Sequence, residues 1–226
     1  MAPPIVVYDL DDTLYLERDF AYSGYRAVEA ELGIPGFSDT CRALLDEGRR
    51  TGIFDEALAR HGVPVAEDTI ARLVTVYRTH APDIAFCPDA ARHLARRPAG
   101  EPGALITDGP LAMQEGKVRA LGLDRMLGCV ICTAALGPGL GKPHPRPYEV
   151  VEDWAAGTGR RLLYIADNPL KDFVTPRARG WLTVRIARPE RVHHVDAPTP
   201  AHEAHATIES FDDFEAVVER LAAAAV

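Results

Sequence analysis

The chain has 226 residues, of which 47% are hydrophobic and 26% charged, and a formal charge of −8. That composition supplies a core and excludes a disordered chain, and its acidic excess argues against nucleic-acid binding, which needs clustered Lys and Arg. No apolar run approaches the ~18 residues of a membrane span, and the start Met1-Ala2-Pro3-Pro4 lacks the features of a secretory signal. A cytoplasmic protein is expected, with no membrane or nucleic-acid partner; the oligomeric state is not readable. Four cysteines at this length do not make a disulfide scaffold. Of the 25 basic residues only Lys117, Lys142 and Lys171 are lysine, so each kept lysine draws attention to its position.

Ile5-Val6-Val7-Tyr8 is a β-branched and aromatic run ending at Asp9, which predicts a buried strand. From about Glu17 to Thr79 the pattern is helical. A helix Phe20–Leu32 stops at Gly33, and Ser38 is the expected N-cap of Asp39–Arg50. Ile53–His61 ends at Gly62, and Glu67–His80 runs up to Pro82. Beyond Pro88 the elements alternate: helix Asp89–Arg97, strand Ala104–Thr107, helix Leu111–Leu121, strand Leu127–Thr133 and helix Arg146–Ala156. Strand Leu162–Ala166, a helix near Leu170–Ala178 and strand Leu182–Ile186 come next. Residues 187–207, rich in Pro and His, read as loop, and Phe211–Ala224 as a final helix. Such alternation predicts an α/β fold with a Rossmann-like parallel sheet covered on both faces. The core then comprises residues 1–16 and 86–226, interrupted by a helical insertion over 17–85.

In an open parallel sheet the ligand crevice lies at the carboxyl ends of the strands. Polar residues stand at four such ends: Asp9-Leu10-Asp11-Asp12-Thr13, Thr107-Asp108-Gly109, Lys142 after the Gly137–Gly141 loop, and Asp167 followed by Asp172. These types suit phosphoryl transfer. Asp9 can attack phosphorus and become an aspartyl phosphate. Asp11 can protonate the leaving alkoxide and later take a proton from water, provided its pKa stays high. Asp9, Asp167 and the Asp11 carbonyl offer oxygen ligands for Mg²⁺. Thr107, the N–H groups of Asp108 and Gly109, and Lys142 can neutralise phosphoryl oxygens, with Thr13 in the same phosphate-binding set. Asp172 can brace Lys142 or a metal water.

Asp9-x-Asp11-x-Thr13, Thr107, Lys142, and Asp167 with Asp172 follow the order of the four motifs of the haloacid dehalogenase (HAD) superfamily. Across nearly its whole length the chain resembles a phosphatase-like member of it. The fourth motif opens Ala166-Asp167 where Gly-Asp is common, and its second acid lies five residues on, where four is frequent. The resemblance implies that the insertion is a C1 cap and that the protein is a Mg²⁺-dependent phosphatase. Its substrate would be a small-molecule phosphate ester: a sugar phosphate, a nucleoside monophosphate or similar. A β-phosphoglucomutase-like phosphomutase and a non-catalytic regulatory module are the alternatives. Dehalogenases and phosphonatases resemble this pattern without the second aspartate, so Asp11 argues against both. A non-catalytic module is expected to lose the nucleophile or the lysine, and both are present.

Tyr15, Tyr22, Tyr25 and Arg26, at the leading edge of the insertion, are candidates for substrate contact. Asp12 is expected to turn away or cap a turn. Cys129 and Cys132 face opposite sides of their predicted strand, which suits packing better than a metal site. His193, His194, His202 and His205 read as a solvated loop, and Lys171, on the helix after the fourth strand, as a residue outside the machinery.

Overall fold

Strand β1 (Ile5–Tyr8) pairs on either side with strands from far along the chain. The structure, a computed structural model, describes residues 2–224. Four helices come after β1: α1 (Glu17–Leu32), α2 (Phe37–Asp46), α3 (Ile53–Arg60) and α4 (Glu67–Thr79). The alternating part runs α5 (Pro88–Arg96), β2 (Gly103–Thr107), α6 (Leu111–Ala120), α7 (Leu123–Met126), β3 (Cys129–Cys132) and α8 (Arg146–Ala155). It ends with β4 (Leu162–Ala166), α9 (Val174–Ala178), β5 (Leu182–Ile186), β6 (Ala206–Ile208) and α10 (Phe214–Ala224).

Among the described residues these strands form one six-stranded sheet in the order β3-β2-β1-β4-β5-β6, every pairing parallel. The protein therefore has the α/β Rossmann-like fold. The chain runs from β1 outward to β3, then returns to lay β4 on the other side of β1, so the strand order reverses at β1. A crevice opens at such a reversal, and Asp9 is the next residue. β2 and β4 are buried throughout, as apolar parallel strands covered on both faces must be. No helix among the described residues is long and apolar enough to cross a membrane.

The chain divides into two units, Met1–Glu17 with Ala85–Val226, and Arg18–Ile84. The first packs Val7, Ile106, Tyr148, Tyr164 and Trp181 against one another. The second is helical, with Tyr25, Phe37, Leu44, Leu58 and Leu73 in its core. Gly24 allows its helices to approach closely, because a Cβ there would lie 2.5 Å from the Tyr77 ring. Leu58→Ala should therefore leave a cavity and destabilise the helical unit by roughly 2–5 kcal/mol. Denaturation followed by circular dichroism measures this; a loss below about 1 kcal/mol would show that the site collapses to fill the gap.

Several elements depart from the sequence reading: α7 is an added turn of helix, β3 starts at Cys129 behind it, and α9 starts only at Val174. α2 starts at Phe37 behind Gly36, and the Ser38 N–H donates to Glu29 Oε2 (2.7 Å), so Ser38 lies inside the helix and does not cap it. Residues 187–207 are not all loop: Ala206 and Thr207 begin β6, a three-residue strand too short to show a period.

Candidate active site

Asp9 extends the sheet by one bond, its N–H donating to Ile165 O (2.9 Å), and its carboxylate then meets the buried Lys142 ammonium. Lys142 Nζ donates to Asp9 Oδ1 (2.7 Å) and to the Tyr164 hydroxyl (3.0 Å), and pairs with Asp172 Oδ1 at 2.7 Å. Asp172 Oδ2 accepts the Asn168 N–H (3.0 Å), so the turn after β4 fixes the acid that fixes the lysine. Burial alone would discharge Lys142, but Asp172 and Asp9 outweigh it and hold the pKa well above the ordinary lysine value. Asp172 thus braces Lys142 directly.

Asp9, Asp167 and Asp172 are all buried and offer carboxylate oxygens within 4.8 Å of one another. Burial, then the charges of Asp9 and Asp172, push the Asp167 carboxyl up to about 9. Lys142 compensates Asp9 and Asp172, and no hydrogen bond or ion pair among the described residues compensates the Asp167 carboxylate. A hard divalent cation with a preference for oxygen ligands fits this donor set.

Asp11 is held differently from the expectation of a high pKa. Lys117 Nζ (2.7 Å) and the Tyr15 hydroxyl both donate to its Oδ1, and Gln114 Nε2 donates to Oδ2 (3.0 Å). Burial raises its pKa, but Lys117, Tyr15 and Gln114 together outweigh this and hold the carboxyl below its ordinary range. Gln114 also donates to the Thr107 hydroxyl, tying the first two motifs together. Lys117→Met should leave a carboxylate without its cation and destabilise the first unit by about 2 kcal/mol. A melting curve reads this, and an unchanged midpoint would mean that Asp11 re-pairs with solvent.

On the β2 side, Thr107 is fully buried and Asp108 organises the loops around it. Asp108 Oδ1 accepts from the Thr133 hydroxyl (2.7 Å) and the Lys142 N–H (3.1 Å), and Oδ2 from Lys171 Nζ (3.3 Å). The Asp108 carboxylate is thus committed to its neighbours, leaving any phosphate contact there to backbone N–H groups. Gly109 has φ +143°, and a Cβ on it would press within 3.1 Å of Gln114. Lys171 lies at this site and not apart from it. Burial and Lys142 oppose its charge, yet Asp172, Asp9 and Asp108 outweigh them and raise its pKa. All three lysines of the chain thus converge here.

A pocket of about 230 Å³ is walled by Asp9, Asp11, Asp108, Gly109 and Asp167, with Lys117 and Lys171. Glu17 and His193 stand on the same wall, and neither is marked as a site residue by the sequence. Thr13, Thr107 and Lys142 are buried outside this wall, Thr13 offering its carbonyl to Arg188 (2.9 Å). Tyr15 is wholly buried and serves Asp11, which corrects its assignment to substrate. Tyr25 is also corrected: it is buried, stacking on Tyr77 (5.8 Å) and meeting Phe54 edge-on. Tyr22 donates to Asp46 (2.6 Å) and Arg26 pairs with Asp83 (2.8 Å), both within the helical unit. Asp12 caps, as its place in the turn suggests, with one oxygen on the Glu17 N–H and the other on the Val192 N–H. His202 and His205 bond to Thr199 and Thr183, and among the described residues no metal-competent group includes a histidine.

Residues 4–173 match the family model of haloacid dehalogenase-like hydrolases. The chain belongs to that family. No curated protein sequence matches it. Solved HAD structures resemble it over nearly the full length. The L-2-haloacid dehalogenase of Xanthobacter autotrophicus is 22% identical with a TM-score of 0.62, over 97% of this chain and 99% of that one. The putative HAD-hydrolase YfnB of Bacillus subtilis, bound to magnesium, is 14% identical with a TM-score of 0.69, over 96% and 99%. A HAD family hydrolase of Deinococcus radiodurans R1, with bound phosphate and sodium, is 23% identical with a TM-score of 0.64, over 97% of each chain. At such identities the likeness shows the shared HAD fold, and the chemistry has to be argued from the site.

Proposed function

We propose that this HAD hydrolase is a Mg²⁺-dependent phosphatase of small-molecule phosphate monoesters. The observation that carries the reading is the uncompensated Asp167 carboxylate beside Asp9 and Asp172. A carboxylate attacking a haloalkane carbon needs no metal, whereas one approaching a phosphate dianion must have the surrounding negative charge neutralised. Asp9 and Asp167, with the Asp11 carbonyl, would hold Mg²⁺, which when bound supplies that neutralisation.

This chain's own residues do the rest. Lys142, behind the wall, orients the Asp9 carboxylate and offsets its charge, and Lys171 on the wall brings an ammonium to the phosphoryl oxygens. Asp9 attacks phosphorus as the P–O bond to the leaving group breaks, the released oxygen takes its proton from water, and water then hydrolyses the aspartyl phosphate to free Asp9 and inorganic phosphate. Asp11 is held as a carboxylate, the form a base needs to take a proton from water in the second half-reaction. Leaving groups that need little protonation should therefore be the faster ones in the first. Inorganic phosphate release from phenyl phosphate, with and without Mg²⁺, tests the reading, with chloride release from 2-chloropropionate as the contrast. Phosphate release that depends on Mg²⁺, with no chloride, is expected; chloride release would identify a dehalogenase. Isomerisation of a sugar phosphate without net phosphate release would identify a mutase.

A further inference from the structure

Asp12 occupies the left-handed region at φ +51°, which costs a non-glycine residue strain but is tolerated by Asp when its side chain bonds locally. Here its carboxylate joins two distant segments. Oδ1 accepts the N–H of Glu17 (2.9 Å) and Oδ2 the N–H of Val192 (2.6 Å), one residue before His193. A second clamp lies beside it. The Arg188 guanidinium donates to the Thr13 carbonyl (2.9 and 3.1 Å) and to both oxygens of Asp89 (3.0 Å each). Arg191 then closes the loop, donating to the carbonyls of Arg188 (2.8 Å) and His193 (3.1 Å). The result is a built lip: Glu17 Oε2 and His193 Nε2 stand 3.6 Å apart on the wall of the pocket that holds Asp9 and Asp11.

We infer that Glu17 and His193 select the leaving group, favouring a hydroxyl-rich or amine-bearing alcohol over one that carries a carboxylate. The inference rests on the phosphatase reading and adds its substrate class. A carboxyl group and an imidazole together accept and donate hydrogen bonds, which matches vicinal hydroxyls. An ammonium would pair with Glu17 directly. A second anion meets the opposite situation, because at Glu17 the negative charges of Asp11 and Asp12 outweigh the positive charges of Lys117 and Lys171 on the same wall. After burial, that same field is what raises the Glu17 carboxyl to about 8. Asp12 acts in this as a positioning residue, touching the backbone of both segments.

The test compares kcat/KM for sorbitol 6-phosphate, phosphoglycolate and phenyl phosphate in the Mg²⁺-loaded protein and in Glu17→Gln, Glu17→Ala and His193→Gln. The parent should prefer sorbitol 6-phosphate over phosphoglycolate by about tenfold or more. In Glu17→Ala and His193→Gln the ratio of sorbitol 6-phosphate to phenyl phosphate should fall about tenfold. Assayed above pH 8, where the Glu17 carboxyl is ionised, the ratio of phosphoglycolate to phenyl phosphate should rise in Glu17→Gln and Glu17→Ala, because a negative charge has been removed. Turnover of phenyl phosphate with ratios unchanged in every variant, or a parental preference for phosphoglycolate, overturns the inference and leaves the phosphatase reading standing. No turnover of phenyl phosphate by the parent overturns both.

Discussion

Asp9→Asn should abolish turnover, with a loss on the order of 10⁴-fold or more in kcat. The amide is neutral, a poor nucleophile, and cannot form the acyl phosphate. It is also nearly isosteric, and Lys142 keeps its pairing with Asp172 at 2.7 Å, so the fold should survive and a melting curve can confirm that it does. A variant that keeps kcat within about tenfold of the parent would remove Asp9 from the chemistry.

Lys142→Arg should be nearly as damaging, by about 10²-fold or more in kcat, or roughly 3 kcal/mol of transition-state stabilisation. Lys142 is buried with Asp9, Asp172 and the Tyr164 hydroxyl at 2.7, 2.7 and 3.0 Å around one nitrogen. A compact ammonium satisfies three such partners; a planar guanidinium is broader and needs a fork-shaped partner, so it must displace one. Lys171→Arg is not the neutral control that a predicted helix position suggests, since Lys171 lies in the turn before α9 and bonds to Asp108 at 3.3 Å on the pocket wall. Because it is half-buried, a smaller loss of about tenfold is expected. Equal, near-parental kcat in both variants would reduce these lysines to fold electrostatics.

The strand ends are legible in the sequence because a buried parallel strand is a short apolar run, and the residue after it must sit at the sheet's carboxyl edge. That logic alone is enough to place Asp9, Asp108 and Asp167 at the crevice. The partners of Asp11 are harder. Gln114 and Lys117 lie three residues apart on α6, a spacing that reads as an ordinary helix face. The available signal is compositional: a chain that writes nearly all its positive charge as arginine keeps lysine at 117, 142 and 171, and all three are at the site. Glu17 and His193 have no local signal, because their approach depends on Asp12 bonding across 180 residues of chain. Tyr25 shows the opposite error. Aromatics at helical spacing mostly pack, and this one does.

The central claim, covalent catalysis by Asp9 on a phosphate ester, is tested most directly by acid-quenching the Mg²⁺-loaded protein during turnover of phenyl phosphate and mapping the phosphorylated peptide by mass spectrometry. Phosphate is expected on Asp9, accumulating further in Asp11→Asn as the second half-reaction slows. Phosphate trapped on any other residue, or phosphate release with no covalent species in either protein, would contradict it.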